Sequence, residues 1–111
     1  MSILKILKNI FSKKEKRILK FKKVIFENNF SVKPQKNAIT IVKKNNSFKW
    51  VKFKCPCGCG KEVTLSLNPS IKPYWEITMK KNKITLSPSV YLTGFPCNSH
   101  FFIRNNKIDW V

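Results

Sequence analysis

All four cysteines and the only histidine of this 111-residue chain fall in two short segments, Cys55-Pro56-Cys57-Gly58-Cys59-Gly60 and Cys97-Asn98-Ser99-His100. No other feature constrains the fold as strongly, because two distant turns must meet if their side chains share an ion. Structural zinc takes four ligands tetrahedrally from Cys thiolate and His nitrogen. The chain offers five: Cys55, Cys57, Cys59, Cys97 and His100. Cys97-x-x-His100 has the gap of a tight knuckle. In the first segment Gly58 and Gly60 permit left-handed backbone and Pro56 stiffens the turn, so that backbone N–H groups can point at sulfur. The preferred set is Cys55, Cys57, Cys97 and His100, with Cys59 a neighbouring spare thiol. Sets in which Cys59 replaces Cys55 or Cys57 satisfy the spacing equally well. A closed site of three Cys and one His is saturated and therefore structural.

The hydrophobic fraction, 42%, is that of a folding chain, and the length suits one domain with an extension. No apolar run is long enough to span a bilayer. The net charge is +18, from 23 basic and 5 acidic residues. Residues 1–54 hold 16 of the basic and 2 of the acidic side chains, so the basic surface precedes the cysteines. Such a balance fits nucleic acid, an anionic membrane surface or an acidic protein as partner. The preference for Lys over Arg, 21 to 2, is equally what an AT-rich coding sequence produces. Four cysteines could make two disulfides in a secreted domain, but three at alternate positions with no cleavable signal fit a reducing cytoplasm and metal-bound thiolates better.

The periodicity predicts a mainly β fold: a small antiparallel β-domain of hairpins, clamped by a zinc knuckle and preceded by a basic helix. Residues 1–20 form the helical extension and residues 21–111 the β-domain. In the extension Ile3, Leu4, Leu7, Ile10 and Phe11 share one face, with Lys5, Lys8 and Lys13 around the other. That face either packs on a protein surface or lies at the inner face of the membrane. From Phe21 the period is two. Strands are expected at Lys22 to Phe26, Ala38 to Lys43, Phe48 to Lys54, around Val63 to Leu67, Trp75 to Met79 and Ile84 to Leu86, with a last hairpin from Phe101 to Trp110. Turns are expected at Lys44 to Ser47, near Asn82 and at Asn105-Asn106. Ser87-Pro88-Ser89 should break the ladder, since Pro cannot donate its hydrogen bond.

Other chemistry is thinly represented. Phe48-Lys49-Trp50-Val51-Lys52-Phe53-Lys54 has the composition of a nucleic-acid platform, although Phe48 and Trp50 suit a core equally. A Cys-x-Cys with a distant Cys-x-x-His is Rieske-like in layout, but a Rieske cluster needs two His. Cysteine nucleophilic catalysis would have only His100 as base, and His100 is better used as a ligand. There is no phosphate-binding glycine motif and no carboxylate pair for acid–base work.

The two clusters and the strands between them resemble a domain-of-unknown-function family of small bacterial and phage proteins. The residues that carry the likeness are Phe53-Lys54-Cys55-Pro56-Cys57-Gly58-Cys59-Gly60, Leu65-Ser66-Leu67, Pro73-Tyr74-Trp75, Thr85-Leu86-Ser87-Pro88-Ser89, Cys97-Asn98-Ser99-His100-Phe101-Phe102-Ile103 and Trp110. They span about residues 48–111. The resemblance implies zinc binding and, for some members, a setting beside bacterial ubiquitin-like conjugation components. Those components are a ubiquitin-like protein, activating and conjugating enzymes and a deconjugating protease, and the implied role is in phage defence. The expectation is therefore a non-enzymatic zinc-binding adaptor or accessory protein with a protein partner. A basic nucleic-acid-binding protein and a Rieske-like redox protein are the alternatives.

Overall fold

The computed structural model describes residues 17–111, so the expected N-terminal helix lies almost wholly outside the described residues. The described residues form eight strands: β1 (Lys23–Glu27), β2 (Ala38–Lys44), β3 (Ser47–Lys54), β4 (Glu62–Ser66), β5 (Glu76–Lys80), β6 (Lys83–Tyr91), β7 (His100–Arg104) and β8 (Lys107–Trp110). They build two four-stranded sheets in simple sequential order, β1-β2-β3-β4 and β5-β6-β7-β8. The tight turns carry the residues such turns demand. Asn45-Asn46, Lys81-Asn82 and Asn105-Asn106 all have positive φ, between 50° and 65°. Paired left-handed residues give the two-residue turn whose twist matches the flanking strands, and Asn tolerates that conformation best after Gly.

Alternation then decides what lies between the sheets. Ile39, Ile41, Val51, Phe53, Val63 and Leu65 project from the first sheet, and Ile84, Leu86, Val90, Phe101, Ile103 and Ile108 from the second. Phe53 and Phe101 meet edge to face across the interface, with centroids 6.1 Å apart. Phe21 closes on Phe53 at 5.4 Å, and Trp110 on Phe101 at 5.4 Å. Both central rings are fully buried. Phe101→Ala should therefore cost about 3–5 kcal/mol in urea unfolding, the usual result of truncating a core aromatic. A loss under 1 kcal/mol would remove Phe101 from the centre of the core.

Two pairings depart from a chain of hairpins. β1 runs parallel to β2, in register from Lys23↔Ala38 to Glu27↔Val42. Residues 28–37 supply the crossover that a parallel pair needs and a two-residue turn cannot give. The second departure is at Ser87-Pro88-Ser89, which interrupts the β6–β7 ladder as expected but does not end its strand. β6 continues through it to Tyr91 by a bulge: Leu86 pairs Ile103, and the next partner pair is Val90↔Phe101. Four residues of β6 therefore advance against two of β7. A bulge is where Pro is tolerated inside a sheet, because the extra residues sit outside the ladder.

The outer face of the first sheet is covered locally. Trp50 packs on Phe30 with centroids 5.0 Å apart, and Phe48 on Phe26 at 5.9 Å. Lys52 is buried there, its Nζ donating to the carbonyls of Phe30 and Val32 (3.0 Å to the latter). Phe48, Trp50 and Lys52 are thus occupied by β1 and the β1–β2 connection rather than presented as a stacking platform. Residues 18–21 run along the far edge of the second sheet. The Phe21 N–H donates to Asn106 O at 2.7 Å, and the Ile108 N–H to Leu19 O at 2.8 Å.

Candidate functional site

The β3–β4 turn and the β6–β7 loop meet at one end of the two sheets. Cys55 directly follows β3, and its N–H donates to Lys61 O at 2.8 Å, closing the turn. Within it the Gly58 N–H reaches Cys55 O at 3.2 Å, and the Cys59 N–H points at Cys57 Sγ at 3.3 Å. Gly58 and Gly60 have φ of 90° and 83°, the left-handed backbone that lets the chain fold back around its own sulfurs. From the other side, Asn98 takes φ 49°, and its N–H donates to Phe95 O at 3.0 Å, which turns Cys97 inward.

The sulfurs of Cys55, Cys57, Cys59 and Cys97 all lie within 4.8 Å of one another. The Cys55–Cys97 pair is 3.7 Å apart. Four thiolates held tetrahedrally on zinc at about 2.3 Å are about 3.8 Å apart. The donor set therefore fits a four-coordinate metal, and none of the four cysteines is disulfide-bonded. Cys55 and Cys57 are buried, whereas Cys59 and Cys97 are partly exposed. Burial pushes the Cys55 and Cys59 thiols up. Burial acts the same way on Cys97, but the hydroxyl and N–H of Ser99, with the thiols of Cys55 and Cys57, outweigh it and bring that group down to about 7. Buried thiols resist ionising on their own, and a bound cation supplies the missing counter-charge.

His100, expected among the ligands, is outside this group of four. It opens β7 on the outer face of the second sheet, and its Nε2 lies 2.9 Å from Ser89 Oγ. Tyr91, its cross-strand partner, stacks on the imidazole with centroids 4.4 Å apart and planes 11° from parallel. Ser89 comes from the β6 bulge, which the indole N–H of Trp75 holds by donating to Ser89 O at 3.2 Å. Ser89 and His100 are both partly exposed, and Tyr91 is exposed. A hydroxyl and an imidazole within hydrogen-bond reach at an accessible surface have the geometry that a nucleophile and its general base require. Among the described residues, Asp109 is taken by Arg104 at 3.1 Å, and the ring that packs on the imidazole is that of Tyr91.

The five residues singled out by spacing thus divide between two centres, four thiols in one and His100 in the other. Cys97-x-x-His100 is not a knuckle because His100 already belongs to a strand, where alternation turns its ring to the outer face. With an all-sulfur donor set, the Rieske arrangement of two Cys and two His is not met. Ser89 was missed. Its signal was a Ser beside a Pro that interrupts an otherwise alternating strand, the usual mark of a bulge.

Residues 26–111 match the family model described as "Bacterial ubiquitination-like system serine protease (BubE)". No curated protein and no solved structure matches the chain.

Proposed function

Because the chain belongs to the family of bacterial ubiquitination-like system serine proteases, we propose that it is a hydrolase of amide bonds in polypeptides of such a system, with Ser89 as nucleophile and His100 as general base. The observation that carries this reading is the 2.9 Å contact between Ser89 Oγ and His100 Nε2 at a partly exposed surface. The non-enzymatic expectation set His100 aside as a metal ligand, whereas its Nε2 lies 2.9 Å from Ser89 Oγ, which favours the hydrolase over the adaptor.

The reaction follows from what each group can hold. With its proton on Nδ1, His100 accepts the Ser89 hydroxyl proton at Nε2 as Oγ bonds to the substrate carbonyl carbon. The imidazolium then returns that proton to the leaving nitrogen as the C–N bond breaks, and an acyl ester remains on Ser89. Water attacks the ester, giving its proton to Nε2. The C–Oγ bond breaks and Ser89 recovers the proton. Tyr91 keeps the ring in plane for both transfers.

Cys55, Cys57, Cys59 and Cys97 would hold zinc. A metal saturated by four thiolates has no open position, so it cross-links and takes no part in the hydrolysis. Its work is to pin the β6–β7 loop, which delivers His100 three residues after Cys97.

A fluorophosphonate probe tests the nucleophile directly. The expected result is one adduct per chain, mapped to Ser89 by peptide mass and absent from His100→Ala. Labelling elsewhere, or none, would sink the assignment. Elemental analysis of the purified chain should give one zinc per chain; a coloured protein holding iron would replace zinc in this reading.

A further inference from the structure

β6 loses its neighbour just where Ser89 stands. β5 accompanies β6 only as far as the pair Glu76↔Ser87. Before Glu76 the chain is committed to the other sheet: Tyr74 bridges Ser66, and the Trp75 N–H donates to Ser66 O at 2.8 Å. β6 nevertheless continues to Tyr91. On its β7 side the Leu92 N–H donates to Ser99 O at 2.8 Å, which makes Tyr91–His100 a non-hydrogen-bonded cross-strand pair. The His100 carbonyl correspondingly faces the other way and accepts from the Val111 N–H at 3.0 Å. By the same alternation the N–H and C=O of Tyr91 face the side that β5 has left. Two residues earlier the Ser89 carbonyl is closed off by the Trp75 indole. Among the described residues, the open stretch of edge therefore begins at the nucleophile and includes Tyr91.

We propose that the substrate binds as an extended polypeptide segment added to this edge as a strand, pairing its main chain with the N–H and C=O of Tyr91. The inference rests on the hydrolase reading above and names its substrate class. Exposed strand backbone is matched most completely by another extended backbone, which lies about 4.8 Å away. A segment held there passes beside Ser89, whose side chain leaves the same face as the Tyr91 ring. Next to the open edge is a cavity of about 310 Å³, lined by Tyr74, Glu76, Ser87 and Pro88. Glu76 is its one charged wall, so a substrate side chain entering it is favoured when it is Lys or Arg.

The test is an N-methyl scan. The best-cleaved sequence from a library of short acetylated peptides, or the tightest-bound one if none is cleaved, is resynthesised with each amide N-methylated in turn. Two readouts are taken: kcat/KM with the full chain and Kd with the Ser89→Ala chain. The expected result is a loss on the order of tenfold at the one amide whose N–H meets the Tyr91 carbonyl and little at its two neighbours, as a single edge residue with one free carbonyl requires. Glu76→Lys should also reverse a preference for Lys or Arg at one position. Cleavage that is indifferent to N-methylation, or equally sensitive everywhere, overturns strand addition and leaves the hydrolase standing. A loss of Kd confined to one amide, without cleavage by the unaltered chain, upholds strand addition and overturns the hydrolase. Neither binding nor cleavage of any peptide overturns both.

Discussion

Ser89→Ala should lower kcat by at least about 10³-fold, and His100→Ala should do the same, while the double variant falls no further. Residues that act as one device fail together, because without the nucleophile the base has no proton to take. Two independent structural contributions would add instead. Folding should be nearly untouched: the Ser89–His100 hydrogen bond is at a partly exposed surface, where its net contribution is about 1 kcal/mol. Peptide hydrolysis measured beside thermal unfolding separates the outcomes. If His100→Ala unfolds the chain while Ser89→Ala keeps full activity, His100 is a structural residue and the pair is not a catalytic unit.

Replacing any one of Cys55, Cys57, Cys59 or Cys97 by Ser should act in the opposite sense, on the fold first and on activity through it. Structural zinc contributes on the order of 10 kcal/mol to small domains that depend on it. Here the two sheets have their own core, so a smaller share is at stake. Even about 3 kcal/mol lowers Tm by about 12–24 °C in a domain of this size. Cys97→Ser should carry the largest loss of hydrolysis, because its loop leads straight into His100. Treatment with a chelator should reproduce the effect in the unaltered chain, and added zinc should reverse it. A Cys59→Ser chain with unchanged Tm and one zinc would show that only three thiols bind. His100→Ala with zinc retained at full occupancy would separate the two centres cleanly.

Most of the strand map was legible because local rules agreed with one another. Asn-Asn pairs stand at two of the tight turns, and Ile84, Leu86, Phe101 and Ile103 alternate as a half-buried sheet requires. The cysteines were legible as a metal-binding group by residue type. Which of the five candidates converge was not, because it depends on how two loops approach each other. His100 shows the difficulty. Its spacing from Cys97 suits a shared ion, yet the same residue starts β7, and the strand decides where its ring points. The pairing with Ser89 lies across a bulge, where counting residues at period two gives no register. The parallel β1–β2 pair was hidden for a related reason: the ten residues between them read as a loop between hairpin partners.

The bulge in β6 also sets a rule for how the molecule can vary. Because it adds two residues, the strand leaves it in the same phase in which it entered: Leu86 and Val90 both face the core. Removing two residues from the 87–89 segment would heal the ladder and leave a sound sandwich with nothing to offer a substrate. Removing one would turn Val90 outward and Tyr91 into the core, and the sheet itself would fail. On the proposed hydrolase reading, the chemistry is thus an insertion counted in pairs, separable from the architecture that carries it.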